Sequence, residues 1–205
     1  MHVLPSSVTA DRLEIREWTP ADVDQMDAAI SASVEHLRPW MPWIAFEPAS
    51  RDDRLERIRT WELDRSIGGD AVYAIFLDGI AIGGTGLHRR IGEGGLEIGY
   101  WIHVDHIRRG HAREASRALT VAAFELAEID RVEIHHDRAN QPSGRVPRSL
   151  GYSFIAEVPR PPEAPAESGV HCVWRITREE FETSWIACPV DAGVSRTSGA
   201  RTARR

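Results

Sequence analysis

The sequence contains no lysine and only two cysteines among its 205 residues. Its 25 basic residues are therefore all arginine, and because 31 acidic residues outnumber them the formal net charge is −6. An acidic chain does not favour nonspecific contact with nucleic-acid phosphates, so we expect no nucleic-acid partner. Cys172 and Cys188 are too few and too far apart for a disulfide framework or a metal-ligand spacing, so we expect two free thiols.

The sequence also lacks an apolar run long enough to span a bilayer, and its first residues show no basic segment followed by an apolar one. We expect no membrane partner and no secretory signal, and a cytoplasmic location is the default expectation. The length fits one domain. From Cys188 onward the chain is rich in small residues and arginine and has little to bury. We predict one domain over residues 1–187 and a disordered tail over residues 188–205.

Hydrophobic periodicity and turn residues predict an α+β domain with a mixed sheet. Residues that alternate or form short apolar runs predict strands at Leu13–Trp18, Ala71–Leu77, Ile80–His88, Leu96–Ile102, Val132–His136, Tyr152–Val158 and His171–Ile176. Capping residues and helical spacing predict helices from Thr19 to about Ser31, Ser50 to about Gly68, Gly110 to about Leu126, Asn140 to Leu150, and from Thr177. Three consecutive strands followed by a strand–helix–strand unit indicate a mixed sheet.

The most distinctive pattern is a strand that passes through a short basic loop into a helix, LEIGYWIHVDHIRRGHAREASRAL. Amides in the first turn of a helix have no intrahelical partner and lie at the positive end of the helix dipole, so they can bind an anion. Gly110 would let the backbone approach a diphosphate, and Ala112 would keep the first turn thin. Arg108, Arg109 and Arg113 add positive charge. An ordinary strand–helix junction that binds nothing is the alternative interpretation.

This segment resembles the acyl-CoA loop of the GNAT superfamily, whose pattern is Gln/Arg-x-x-Gly-x-Gly/Ala. Gly110 and Ala112 match the pattern, whereas Ile107 replaces the leading Gln/Arg. Asn140 and Ser143, in HDRANQPSGRVPRSLGY, are similar to the Asn-x-x-Ser element that precedes Leu-Gly-Phe/Tyr in the same superfamily.

A third motif indicates a subgroup of this superfamily. Leu37, Trp40 and Trp43 resemble the Leu-x-x-Trp-x-x-Trp element of the RimJ/RimL type, which acetylates protein N termini. Three motifs in the right order are more specific than one. The resemblance covers roughly Leu13 to Phe181.

The resemblance implies a GNAT-like, mostly antiparallel twisted sheet of about seven strands flanked by helices. It also implies direct acetyl transfer from acetyl-CoA to an amine acceptor, either a protein N terminus or a small amine, and it leaves a homodimer open. The residues that would hold the cofactor are Ile102, His103, Val104, Ile107, Arg108, Arg109, Gly110, His111, Ala112, Arg113, Asn140 and Ser143.

Two residues are candidates for acid–base roles, and each has an alternative interpretation. Glu97 is the candidate base, acting through water, because it alternates with Leu96 and Ile98 and points away from their face. An ion-paired structural glutamate is the alternative. Ser143 is the candidate donor to the leaving thiolate, and a helix N-cap that leaves Gly144 as the first helical residue is its alternative.

The remaining candidate residues are two tryptophans and a set of histidines. Trp40 and Trp43 would line the acceptor groove, with ordinary core packing as the alternative. Asn140 would fix the pantetheine arm or serve as a turn residue. No recognised zinc-ligand spacing relates the histidines at 103, 106, 111, 135 and 136, so we expect no metal.

Other functions fit the sequence less well. Gly84-Thr85-Gly86 resembles part of a dinucleotide-binding loop, but the third glycine would fall at Arg89 and no helix follows, so we reject this function. A non-catalytic acyl-CoA sensor is an alternative, motivated by Ile107 and by the uncertain base. A GNAT enzyme that acts on an antibiotic, a polyamine or a free amino acid is another.

Overall fold

The computed structural model describes residues 2–187, which form one eight-stranded sheet flanked by five α helices. The strands are β1 Ser7–Thr9, β2 Glu14–Glu17, β3 Ala71–Leu77, β4 Ile80–His88, β5 Gly95–Ile102, β6 Arg131–Asp137, β7 Ser153–Pro159 and β8 Val170–Thr177. The helices are α1 Val23–Leu37, α2 Arg51–Ser66, α3 His111–Phe124, α4 Gln141–Leu150 and α5 Arg178–Glu182. Among these helices, none combines the length and the apolar character that a membrane span requires. The predicted tail over residues 188–205, with Cys188, lies outside the described residues.

The strands lie in the order β1-β2-β3-β4-β5-β6-β8-β7, and all neighbours are antiparallel except β5 and β6. The mixed, mostly antiparallel sheet expected from the sequence is therefore confirmed. The parallel ladder pairs Gly95–Glu97 with Arg131–Glu133 and then ends, although both strands continue. This break leaves a wedge in the sheet between the second halves of β5 and β6.

Each predicted strand and helix is present, but one strand was not predicted and one helix is longer than predicted. β1 was not predicted because three residues are too few to show alternation. α1 continues to Leu37 instead of ending near Ser31, because buried Ile30, Ser33 and Leu37 extend the same helical face. Asp78 and Gly79, both with a positive φ, form the two-residue hairpin turn that joins β3 to β4.

The two faces of the sheet pack against different helices. Because successive strand residues point to opposite faces, β5 sends Ile98 and Ile102 toward α3 and sends Trp101 toward α1 and α2. The core on the α3 side includes Ala115 and Leu119, whereas the other core contains residues of α1, α2, β3 and β4. The α1–α2 layer does not cover its whole face of the sheet, and the uncovered part contains the cavity described below.

A buried arginine fixes α2 to α1 and to the segment between them. The Arg54 side chain is 2% exposed; its Nε donates to Asp27 Oδ1 at 2.8 Å and its Nη2 to Glu47 Oε2 at 2.7 Å. The Glu47 side chain is equally buried. Breaking a buried ion pair leaves a charge without water or a partner, which is strongly destabilising.

Arg54→Ala should therefore lower the free energy of unfolding by about 3 kcal/mol, measured by urea denaturation. Arg51→Ala on the same helix is the matched control, because the Arg51–Asp24 pair is exposed and should contribute little. Equal losses in the two variants would contradict the role assigned to Arg54.

Candidate active site

A cavity of about 630 Å³ lies on the α1–α2 face of the sheet, over the place where β5 and β6 separate. One side of this central cavity is aromatic and the other is charged. Its aromatic side includes Trp18, Trp40, Trp43, Trp61 and Trp101. Its charged side includes His88, Arg90, Glu97, His135, His136, Glu163 and Glu167.

Glycines on β4 and β5 form the floor of the central cavity and let two rings lie close to the backbone. A Cβ added at Gly84 would lie 2.5 Å from Trp101 Nε1, and one added at Gly86 would lie 2.8 Å from His88 Nε2. Gly99 is the register partner of Gly86 and lies beneath the same histidine ring. The Gly84-Thr85-Gly86 segment thus makes room for side chains.

The two predicted acceptor-groove tryptophans both line the cavity. The ring centroids of Trp43 and Trp101 are 6.0 Å apart, with the planes tilted by 59°. Trp43 also packs against the hydrophobic core on the α1–α2 side, so it contributes both to the lining of the cavity and to the core.

Glu97 faces the central cavity and is also ion-paired. Glu97 is 6% exposed, and its carboxylate accepts hydrogen bonds from Arg90 Nε at 2.8 Å and from Arg90 Nη2 at 2.5 Å. His135 Nδ1 lies 3.6 Å from the same carboxylate. Burial alone would raise the pKa of Glu97, but the hydrogen bonds and charge of Arg90 outweigh burial and hold this pKa below its ordinary value. Glu97 is therefore ionised and only weakly basic.

Ser143 is not a helix N-cap. α4 begins at Gln141, and Asn140 is its N-cap, with Oδ1 accepting from Ser143 N at 3.3 Å. The N-cap interpretation of Ser143 was wrong, and Asn140 has that role. The Ser143 hydroxyl instead lies 2.9 Å from Tyr100 Oη at the wedge.

A proline inside α4 leaves a backbone carbonyl that Tyr100 can satisfy. Pro147 has no N–H, so the carbonyl of Ser143, four residues earlier, lacks its helical donor. Tyr100 Oη lies 3.1 Å from that carbonyl oxygen and can donate to it in place of the missing N–H. Burial raises the pKa of Tyr100, so the phenol keeps its proton. β5 and α4 are thereby joined next to the candidate acid.

The loop before α3 leaves the first turn of that helix uncapped. Gly110 is the N-cap, with φ 86°, and it has no side chain that could accept from the first-turn amides. By contrast, Ser50 and Thr177 cap α2 and α5 through capping boxes. The acidic residue in the first turn of α3, Glu114, is engaged by Arg12 Nε at 2.8 Å and by two backbone amides. The free amides therefore remain available to an anion.

The other residues of the predicted cofactor set surround this helix end. Arg108 and Arg109 are exposed, and Arg113 lies over the Trp185 ring at 5.1 Å. His111 is buried, and neither of its ring nitrogens has a hydrogen-bond partner among the described residues. Ile107 packs against the core on the α3 side, so the position of the usual polar side chain is apolar here.

Three further residues of the predicted cofactor set, Ile102, His103 and Val104, connect β5 to the loop before α3. Ile102 is the buried end of β5, and His103 N donates to Ile82 O at 2.8 Å. Val104 N donates to Ser33 Oγ at 3.1 Å, which fixes the loop to α1.

The structure brings Glu97, Ser143 and Trp43 around one cavity and adds residues that the sequence analysis did not select. His88 is the register partner of Glu97, and Arg90 returns to Glu97 from the following loop. The β3–β4–β5 order of hairpins could have placed His88 near Glu97. The ion pair to Arg90 depends on the fold of the glycine-rich connection and has no sequence signal.

Comparisons with known proteins identify the family of this chain. Residues 12–153 match the family model described as an acetyltransferase (GNAT) domain. A Bacillus subtilis (strain 168) protein, YdaF, whose name places it among ribosomal N-acetyltransferases, is 28% identical over 145 residues, covering 69% of this chain and 78% of that protein.

Solved structures share the fold. Mycobacterium smegmatis RimJ in complex with a CoA disulfide has a TM-score of 0.78 at 22% identity, covering 91% of this chain and 94% of that one. RimL, named as a ribosomal L7/L12 α-N-protein acetyltransferase and crystallised with coenzyme A, has a TM-score of 0.74 at 17% identity, covering 87% and 99%.

Arg90→Gln should raise the pKa of the Glu97 carboxyl above its value in the wild type, because burial would then act without the compensating charge. Carboxyl ¹³C chemical shifts followed through an acid titration would measure the change. Arg89→Gln is the control, since the Arg89 side chain donates to His2 O and does not contact Glu97. An unchanged Glu97 pKa in Arg90→Gln would show that Arg90 does not set it.

Proposed function

The chain belongs to the GNAT acetyltransferase domain family, and we propose that it moves an acetyl group from acetyl-CoA directly to the α-amine of a protein or peptide N terminus. Members of this family are acyltransferases that use acetyl-CoA. The observation that carries the proposal is the uncapped first turn of α3, beside a wedge in the sheet that opens into an aromatic cavity.

In this proposal the diphosphate of acetyl-CoA binds the amides that follow Gly110. Arg12, Arg108 and Arg109 add positive charge around it. The pantetheine arm lies in the wedge, because backbone groups of β5 beyond Glu97 have no strand partner on the β6 side and can pair with its amides. Ile102, His103 and Val104 contact the arm where β5 ends.

The acetyl group then lies near Tyr100 and Ser143, where the wedge meets the central cavity. Ser143 donates to the sulfur as the C–S bond breaks, and Tyr100 fixes the position of Ser143 by donating to its carbonyl oxygen. Glu97 first takes the proton of the acceptor through a water molecule and attracts the positively charged amine. The reaction forms the amide without an acyl-enzyme, so no nucleophilic side chain is needed.

An α-amine suits this site better than a lysine. At pH 7.5 about a quarter of an α-amine with a pKa near 8 is neutral, against about 0.1% of a lysine amine. A weakly basic Glu97 therefore has fewer protons to remove from an α-amine than from a lysine amine. The names of YdaF and RimL also refer to ribosomal acceptors. This function would place the protein in the cytoplasm, and a small-molecule amine is the second candidate acceptor, favoured by the enclosing aromatic wall.

Gly110→Glu should abolish acetyl-CoA binding, measured by calorimetry, because a carboxylate would occupy the place of the diphosphate. Gly151→Glu is a matched control: Gly151 also has a positive φ, 81° against 86°, and open space around its Cβ position, but it ends α4. Both variants should lose similar stability from backbone strain, and only Gly110→Glu should lose affinity. Unchanged affinity in Gly110→Glu would place the diphosphate elsewhere.

Release of free CoA should be faster with peptides that have a free N terminus than with N-terminally blocked peptides that contain lysine. The comparison uses the wild-type protein at pH 7.5 with a library of peptide N termini and a panel of small amines. Faster release of CoA with a small amine than with any peptide would favour the second candidate acceptor. If the protein binds acetyl-CoA but releases no free CoA with any amine, the enzymatic function is overturned.

A further inference from the structure

We propose that the pair Asp70–His88 is the base that retains the proton of the acceptor amine, with His88 Nε2 as the accepting atom and Asp70 as its positioning residue. This inference rests on the proposed function and extends it, because nothing in the three sequence motifs involves either residue. Its basis is the position of the His88 ring at the floor of the central cavity.

The geometry of the pair fixes which ring nitrogen is free. His88 Nδ1 lies 2.7 Å from Asp70 Oδ2, and Asp70 Oδ1 accepts from Arg89 N at 2.8 Å. An ionised carboxylate can only accept, so Nδ1 carries the hydrogen and Nε2 of the neutral ring keeps its lone pair. Within residues 2–187, no residue forms a hydrogen bond with Nε2.

The free nitrogen lies where an acceptor amine would arrive. Nε2 is 3.4 Å from the position that a Cβ on Gly99 would occupy, and Gly99 precedes Tyr100, which holds Ser143. Had Gly86 carried a side chain, its Cβ would meet Nε2 at 2.8 Å. The glycines thus keep the space beside Nε2 free of side chains, and Glu97 is the register partner of His88 on the next strand.

Glu97 alone cannot retain the proton. Its pKa lies below the ordinary value because Arg90 stabilises the carboxylate, so it would return a proton to an amine at once. An imidazole has an ordinary pKa of about 6.5, closer to that of an α-amine near 8. Glu97 and its water can bind the ammonium group, and the adjacent imidazole can accept its proton.

The proposed step balances as follows. The acceptor ammonium gives one proton, by way of Glu97 and its water, to His88 Nε2, which becomes imidazolium opposite Asp70 and later releases that proton to solvent. The neutral amine attacks the thioester carbonyl, so the C–N bond forms and the C–S bond breaks. The sulfur takes the Ser143 hydroxyl proton, and Ser143 regains one from the nitrogen through water. The products are the amide and CoA with its thiol.

Several charged groups lie near His88 and its partners. Those that face it or its partners are Asp64 and Asp70 before β3, Arg89 and Arg90 after β4, Glu97 on β5, Glu133 and His135 on β6, and Glu163 in the β7–β8 loop. These groups stay the same in the comparison of wild type with a His88 variant, so a difference in pH profile reports the imidazole.

His88→Gln tests the proposal, because its amide can still donate to Asp70 but cannot take up a proton. With acetyl-CoA and a free-N-terminus peptide, kcat/KM should fall about 100-fold at pH 6.5. The loss should shrink to less than about tenfold at pH 9, where the α-amine is already neutral. Asp70→Asn should likewise lower kcat/KM more at pH 6.5 than at pH 9, since the imidazolium loses its counter-charge and Nδ1 loses the partner that fixes its hydrogen.

His2→Gln is the matched control, because His2 Nδ1 also pairs with a carboxylate, Glu128 Oε2 at 2.9 Å, but on the exposed surface. It should leave the whole profile unchanged. A His88→Gln variant with normal kcat/KM, or with a loss that does not depend on pH, overturns the role of His88 while leaving the proposed function intact. Wild-type protein that releases no CoA with any amine would instead overturn the proposed function.

Discussion

The end of the parallel ladder between β5 and β6 is the constraint on which the site depends. A sheet interior normally pairs every backbone group, and β5 stops pairing with β6 after Glu97 although it continues to Ile102. Each of the two strands leads into a helix, α3 after β5 and α4 after β6. The same break therefore positions the uncapped amides near Gly110 and the hydroxyl of Ser143 on the two sides of one opening. A continuous ladder would remove both the wedge and the relation between these two helix ends.

β5 supplies both faces of this opening. Glu97, Gly99 and Trp101 point into the central cavity, while Ile98 and Ile102 pack under α3. A slip of one residue in register would exchange these two sets and bury a charge in the core. The cavity chemistry and the hydrophobic core therefore constrain the same eight residues, which explains why a short stretch of sequence contains so much of the functional signal.

The periodic elements and the helix-terminal loop could be predicted from the sequence because their signals are local. Ser50 with Asp53, and Asp78 with Gly79, each act within four residues. The ion pair between Arg90 and Glu97 could not be predicted, because Arg90 meets Glu97 only after the connection between β4 and β5 folds back. The alternative that made Ser143 the N-cap of α4 was wrong for a similar reason. It placed Pro147 in the first turn, because a proline inside a helix leaves one carbonyl without its donor. In the structure Tyr100, which is distant in sequence, donates to that carbonyl.

The glycines of the cavity floor show how stability and function are balanced in this sheet. A glycine inside a strand costs roughly 0.5–1 kcal/mol, and the cavity floor alone contains three of them, Gly84 and Gly86 on β4 and Gly99 on β5. What they allow is the close approach of the His88 and Trp101 rings to the backbone. Carboxylates on this face are paired, Glu97 with Arg90, Glu133 with Arg175 and Asp70 with His88. Arginine does not release its proton, and a carboxylate paired with it stays ionised near neutral pH. An imidazole can both take up and release a proton near neutral pH, and the glycines leave Nε2 of His88 uncovered.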